Sequence, residues 1–231
     1  MNEFTSKLFK DLITKEELDK FNKLQKVISK LNKYTNLTRL IDGSDYWISQ
    51  VYDSIWPYRK NSEYALNNKK IIDIGSGCGF PGLAYAITHP KSEIFLIDSS
   101  KKKTDALKEI ILELNLKNQI YVIKDRIENL AHNSLYRNSF DICMTRAVGC
   151  PSTVTEYILP MLNKKGIGIL YCGKWNQEEQ NKIEKSLMIL KGSIINKKKH
   201  IFLQIKGKET SYSLNLTASV QIYILERLVN Q

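Results

Sequence analysis

The chain has 231 residues, 42% of them hydrophobic, with a formal net charge of +11. That is enough to bury one substantial core, so one main domain with an appendage is expected, and no apolar run is long enough for a membrane helix. MNEFTSKLFKDLITKEEL is too charged for a signal peptide, and Cys78, Cys143, Cys150 and Cys172 lack C-x-x-C spacing, so a reduced cytosolic protein without structural metal or membrane attachment is expected.

The first third has a helical pattern. Thr14-Lys15-Glu16-Glu17 is a capping box, and Leu18, Phe21, Leu24, Val27, Ile28 and Leu31 form an apolar stripe behind it, a docking face. After a turn at Asp42-Gly43-Ser44-Asp45, WISQVYDSIWP predicts a second short helix stopped by Pro57. Residues 1–68 therefore read as a helical cap on a sheet domain that occupies 69–231. From 69 onward strands and helices alternate: strands at 70–74, 93–97, 119–124, 140–145 and 166–172, helices at 81–88, 101–115, 151–162 and about 176–190. Repeated βα units imply a parallel sheet with helices on both faces. HIFLQI and SVQIYILERL, with no helix between them, predict an antiparallel hairpin at the sheet's end.

The segment IIDIGSGCGFPG, residues 71–82, carries the first chemical signal. An apolar strand leads into glycines at 75, 77, 79 and 82, the opening of a nucleotide-binding βαβ unit. A dinucleotide fingerprint would place glycine or alanine at 80, where this chain has Phe80. Asp73, two residues before the turn, would repel a pyrophosphate seated on helix amides. It would accept a cationic ligand instead, such as S-adenosylmethionine, whose ribose needs an acidic partner at the end of the next strand. Asp98 closes SEIFLID and supplies that partner. Asp73 can also cap the loop by accepting amide hydrogen bonds, a role compatible with ligand binding.

DIGSGCGFPGL, LIDSSKKKTDAL, DRIENL and FDICMTRAV, in this order and spacing, resemble the small-subunit ribosomal RNA guanine-N7 methyltransferases, historically called glucose-inhibited division protein B. The resemblance covers about residues 34–175. It implies a class I S-adenosylmethionine-dependent methyltransferase: an α/β, Rossmann-like, mostly parallel sheet with an antiparallel C-terminal hairpin and an N-terminal helical cap. It also implies that Gly75 and Phe80, with Gly77 in the same loop, line the cofactor. Asp98 would accept from the ribose hydroxyls, and Ser99 and Ser100 would border the adenosine. Ile127 and Glu128 match an adenine-binding pair, and Arg146 matches an arginine that faces both cofactor and substrate. Glu128 also reads as a carboxylate stabilising a helix N-terminus, and Arg146 as a surface cation or salt-bridge partner. The sequence departs from the family at Gln50, where a histidine is usual, and at Cys172-Gly173, where a lysine usually precedes the glycine.

The implied reaction is methyl transfer to N7 of a guanine in a loop of 16S rRNA, on naked RNA or the small ribosomal subunit, by a monomer. No nucleophile–base constellation appears in the sequence, and none is needed, because N7 has a free lone pair. In A-form RNA N7 faces a deep, narrow groove, so the target should lie in a loop or distorted segment. Lys101, Lys102 and Lys103, placed where a helix dipole disfavours cations, suit a phosphate partner, as do Lys197, Lys198 and Lys199 more distantly. The last three belong to residues 181–208, which hold eight lysines against Glu184 alone. Another S-adenosylmethionine-dependent methyltransferase, acting on a different RNA or a small molecule, is the alternative. A nicotinamide-dependent oxidoreductase is opposed by Phe80 and Asp73, and a non-catalytic RNA-binding protein would need neither Asp98 nor Glu128.

Overall fold

The computed structural model describes residues 9–43, 45–59, 68–116, 120–172, 177–190, 192–208 and 211–227. Helix α1 (Lys15–Thr35) is followed by a π-helix (Asp45–Tyr52) that runs directly into α2 (Asp53–Arg59). Then come β1 (Lys70–Ile74), α3 (Gly82–Thr88), β2 (Glu93–Asp98), α4 (Lys101–Leu114), β3 (Ile120–Lys124) and α5 (Ile127–His132). The chain continues through β4 (Phe140–Arg146), α6 (Pro151–Ile158), β5 (Leu162–Cys172), α7 (Gln177–Leu190), β6 (Gly192–Lys208) and β7 (Ser211–Arg227). The strands form one sheet in the order β3-β2-β1-β4-β5-β7-β6. β1 to β5 pair in parallel, whereas β7 runs antiparallel to both β5 and β6. The chain winds outward from β1 to β2 and β3, then returns to place β4 on the other side. That reversal opens a crevice beyond the carboxyl ends of β1 and β4, where open α/β sheets bind ligands.

The sheet is apolar on both faces because strand side chains alternate. Ile71 packs with α3, α4 and the N-terminal helices, while Ile72 and Ile74 pack on the opposite face against α5, α6 and α7. Asp73 therefore falls on the face of α3. Helix α1 starts at the expected capping box, in which Thr14 Oγ1 accepts from the Glu17 amide (3.2 Å) and Glu17 Oε2 from the Thr14 amide (2.8 Å). Such a cap contributes about 1 kcal/mol. Phe21, Leu24, Val27, Ile28 and Leu31 are buried, each worth roughly 1.5–3 kcal/mol of apolar burial. They belong to the same apolar cluster as α3 and α4, so the N-terminal helices share a core with the sheet.

Several boundaries differ from the sequence reading. Pro57 lies inside a helix that continues to Arg59 rather than stopping it. A proline crowds the carbonyl four residues back, here Asp53, and it is at Asp53 that the winding changes from π to α. Helix α6 ends at Ile158, ahead of Pro160, which has no amide to extend it. β5 starts at Leu162 rather than 166, with a register irregularity on its neighbour β4 between Phe140 and Ile142. β6 starts at Gly192, so Lys197–Lys199 are strand residues, paired with Tyr223, Ile222 and Gln221 of β7.

Candidate active site

The loop after β1 is held from three directions, by the Ile97 carbonyl, by Asp73 and by Asp98. The amides of Gly75 and Ser76 both donate to the Ile97 carbonyl (2.9 Å), which folds the loop back over the end of β2. Asp73, fully buried, accepts from the Gly82 amide through Oδ2 (3.0 Å) and so caps α3, whose own N-cap residue, Pro81, gives no side-chain bond. A Cβ at Gly82 would lie 2.7 Å from that same oxygen. Burial raises the Asp73 carboxyl to about 7, against the lowering effects of the Gly82 amide and Arg146. Gly75 has φ +71°, and a Cβ there would come within 2.4 Å of Val148 Cγ2. Only glycine leaves this backbone open to a ligand.

Beyond the ends of β1, β2 and β3 lies a cavity of about 340 Å³. Gly75, Asp98, Ser99, Ile127, Glu128 and Val148 are among the residues that line it. Asp98 is 7% exposed, and each of its oxygens accepts one backbone amide: Oδ2 from Gly77 (3.0 Å), Oδ1 from Ser100 (2.9 Å). A carboxylate oxygen has two acceptor sites, so capacity for hydroxyl donors remains on both. Lys103 Nζ stands 3.7 Å from Asp98 Oδ2. On the far wall Glu128, in the first turn of α5, accepts from the Tyr157 hydroxyl (2.9 Å). The glycine cradle, the acidic end of β2 and the Ile127–Glu128 wall fit a nucleoside with a vicinal diol and a cationic tail, the chemistry of S-adenosylmethionine.

A second cavity, of about 460 Å³, opens between the sheet and the N-terminal helices. It shares Gly75, Lys103 and Ala147 with the first, and adds Gln50, Asp53, Phe80 and Arg146. Arg146, at the end of β4, donates to the Ser49 carbonyl (2.8 Å) and to Gln50 Oε1, and its guanidinium sits 5.8 Å from the centre of the Phe80 ring. Gln50, 2% exposed, turns its amide nitrogen to Thr38 Oγ1 (3.0 Å) and Cys78 Sγ (3.6 Å). Asp53 is 5% exposed, and its Oδ1 is buried with no hydrogen-bond partner. Burial raises this carboxyl to about 7, partly opposed by the Arg146 charge.

Most of the residues expected in the site converge at this crevice, with their duties redistributed. Gly75, Asp98, Ser99, Ile127 and Glu128 meet in the first cavity, and Gly77, Phe80 and Arg146 in the second. Asp73, expected against the ligand, lines neither and acts through the loop it holds. Ser100 caps α4 by accepting from the Lys103 amide (3.5 Å). Lys101 is exposed and pairs with Asp105 (2.5 Å), Lys102 is exposed, and Lys103 belongs to the cavities. Lys197, Lys198 and Lys199 lie on the outer strand β6, three strands from β4. Cys172 reaches the second cavity at the end of β5, with its thiol pushed up to about 12 by burial, whereas Gly173 and Lys174 lie outside the described residues. The sequence reading missed Asp53 and the Gln50–Arg146 contact. A carboxylate inside the otherwise apolar VYDSIWPY was the available signal for the first. Among the described residues no His, Cys, Asp or Glu cluster could hold a metal ion, and no helix is long and apolar enough to cross a membrane.

A sheet of this order, with a glycine loop after β1 and an acidic residue closing β2, is the class I S-adenosylmethionine-dependent methyltransferase fold. Solved structures of that kind superpose on it: an S-adenosylmethionine-dependent O-methyltransferase from Thermotoga maritima (TM-score 0.56, 12% identity, 78% of this chain and 66% of that one) and a tRNA (m1A58) methyltransferase from Aquifex aeolicus (TM-score 0.54, 14% identity, 78% and 69%). At such identities the likeness concerns the fold alone. Residues 17–203 match the family described as GidB, rRNA small subunit methyltransferase G, and the chain belongs to that family. The ribosomal RNA small subunit methyltransferase G of Prochlorococcus marinus strain MIT 9312 is 63% identical over 197 residues, 85% of this chain and 83% of that protein.

Proposed function

We propose that this protein transfers a methyl group from S-adenosylmethionine to N7 of one guanine in a loop of 16S rRNA, presented as free RNA or within the small ribosomal subunit. The observation that carries the reading is the meeting of two cavities at Gly75, Lys103 and Ala147, one suited to a nucleoside and the other open beside Arg146. When bound, S-adenosylmethionine supplies an electrophilic methyl group on a sulfonium. Asp98 would hold the ribose hydroxyls, Ile127 and Glu128 the adenine, and the Gly75–Gly77 backbone the methionine end. Arg146 and Phe80 would present the guanine from the neighbouring cavity. On this reading the helical segment within 1–68 walls the substrate cavity, and 69–231 is the methyl-transfer domain.

Guanine N7 has an accessible lone pair, so the residues need not remove a proton before the attack. Their contribution is in-line positioning in a shielded cavity together with electrostatic control of moving charge. A small-molecule substrate would be favoured by an enclosed apolar pocket under the N-terminal helices. The cavity found there is open and combines Leu37, Leu40, Phe80 and Tyr171 with Gln50, Asp53, Lys103 and Arg146, a mixed lining that suits a flat ring with a polar edge, as in a nucleobase. The test is methyl transfer from radiolabelled S-adenosylmethionine to small subunits from cells lacking the activity, with free rRNA and RNA-free controls. Label at one guanine, mapped by cleavage at N7-methylguanine, is the expected result. Label without RNA, or none despite tight cofactor binding, would overturn the assignment.

A further inference from the structure

We propose that Asp53 reads the target guanine, accepting hydrogen bonds from its N1–H and exocyclic N2–H while Arg146 meets its O6 edge. The inference rests on the function proposed above and names the residue that selects the base. Asp53 is a buried side chain lining the second cavity, and one of its oxygens lacks any partner. A buried carboxylate oxygen without a partner, on a residue that lines a ligand-sized cavity, calls for a donor, because leaving the bond unmade costs free energy. The ribose and adenine of the cofactor are not the natural donors. Asp98, Ile127 and Glu128 line the first cavity alone, whereas Asp53 stands on α2 in the second, walled by the Gly75–Cys78 loop, Phe80, the π-helix and the ends of β4 and β5. Arg146 is anchored by Ser49 and Gln50, and a guanidinium has five donors, so some remain for a carbonyl acceptor.

A carboxylate and an arginine that line one cavity match the edge of guanine better than that of any other base. Guanine alone sets two adjacent donors, N1–H and N2–H, beside a carbonyl oxygen. Adenine lacks the donor pair, and uracil and cytosine lack N7. The arrangement also favours the reaction itself. The N7 lone pair forms the bond to the methyl carbon as the carbon–sulfur bond breaks, sulfur leaves with that electron pair as a neutral thioether, and no proton moves. The guanine ring becomes cationic and its N1–H more acidic. A carboxylate bonded to that edge therefore holds the transition state more tightly than the ground state.

The test pairs a substrate change with a protein change. Small-subunit RNA carrying inosine at the methylated position keeps O6, N7 and N1–H but lacks the N2 amino group. Wild-type kcat/KM should fall about 10-fold or more on inosine, the scale of one hydrogen bond to a charged group. Asp53→Ala should lower kcat/KM on guanine and reduce the guanine–inosine ratio to within about 3-fold, with Asp53→Asn, which keeps one acceptor, in between. S-adenosylhomocysteine affinity, read by calorimetry, should stay unchanged in both variants and serves as the check on folding. An Asp53→Ala protein that discriminates as strongly as wild type, or one whose S-adenosylhomocysteine affinity collapses while the ratio persists, would overturn the assignment. Should neither variant fold, equal wild-type turnover of guanine and inosine would overturn it alone. Absence of label on guanine RNA with wild-type enzyme would instead remove the underlying function.

Discussion

Arg146 reaches across from the end of β4 to the π-helix and is held by two groups there, the Ser49 carbonyl (2.8 Å) and the Gln50 side-chain oxygen. Gln50 is in turn fixed by Thr38 and Cys78 through its amide nitrogen, so the orientation of this cation is set by residues outside the sheet. Gln50→Ala should lower kcat roughly 10-fold or more while S-adenosylhomocysteine affinity changes by less than about 3-fold, since Arg146 loses an anchor and the first cavity does not. Gln50→His supplies the residue usual in the family. A neutral imidazole can accept from Arg146 and donate to Thr38, but an imidazolium cannot accept. Activity should return at pH 8 and fall more steeply than in wild type as pH drops through about 6.5, because the imidazole takes up a proton in addition to the one that Asp53 binds near 7. A pH–rate profile on the three proteins checks this, and superimposable profiles would mean that Gln50 does not set Arg146.

Asp98 performs two jobs with the same oxygens. It holds the Gly77 and Ser100 amides, and its remaining lone pairs face the first cavity. Asp98→Ala should weaken cofactor binding by about 10- to 100-fold, because a charge-assisted acceptor is removed. It should also lower the denaturation midpoint, since two amides lose their acceptor at about 1–3 kcal/mol each. Calorimetric titration and a urea melt on the same protein separate these effects. Normal affinity with a lowered midpoint would leave Asp98 as scaffolding only.

The three lysines that follow Asp98 do not behave as one group. Lys103 lies 3.7 Å from the Asp98 carboxylate, whereas Lys101 and Lys102 are exposed at the start of α4. Lys101 pairs with Asp105, an exposed ion pair worth little and easily exchanged for phosphate. The Lys101→Ala/Lys102→Ala double variant should bind small-subunit RNA more weakly, with the slope of log K against log salt shallower by about 0.7–0.9 for each phosphate no longer neutralised. Cofactor affinity should not change, unlike in a variant that includes Lys103→Ala. An unaltered salt slope would remove both lysines from the RNA interface.

The contrast among these residues shows what a linear pattern can carry. Alternating βα units and the glycine spacing made the parallel sheet and the β1 loop legible, because backbone geometry demands those residues locally. Asp98 was legible for the same reason, as the acid that closes a strand. Asp53 was not, since its importance comes from an unpartnered oxygen on a residue that shares a cavity with Arg146, and the two residues come together only when the N-terminal helices dock on the sheet. Asp73 reads as a ligand contact in the sequence because position along a strand does not reveal which neighbour claims a carboxylate, and here the Gly82 amide claims it. The lysines at 197–199 stand out by charge, but the strand they occupy sits three places from β4, a separation set by sheet order.

The two buried carboxyls tie function to stability through pH. Asp53 and Asp73 are both raised from 3.8 to about 7, with burial the largest cause in each. A raised folded value means that the fold binds the proton more tightly than the unfolded chain does. The stability each group contributes is therefore complete below about pH 4 and lost as pH rises towards 7. A shift of that size corresponds to on the order of 4 kcal/mol per group at most. Asp53→Asn keeps the shape and removes the charge, so the variant should melt several degrees above wild type at pH 8, with the gap narrowing as pH falls to 5. Asp73→Asn should behave alike, because an amide oxygen can still accept from Gly82. Paired thermal melts at the two pH values measure the difference directly. The same Asp53→Asn protein should be the poorer catalyst, because the charge that weakens the empty fold is the one the guanine edge requires. A variant no more stable than wild type at pH 8 would mean that Asp53 ionises freely in the folded chain, and its buried oxygen would then need a partner from within the protein.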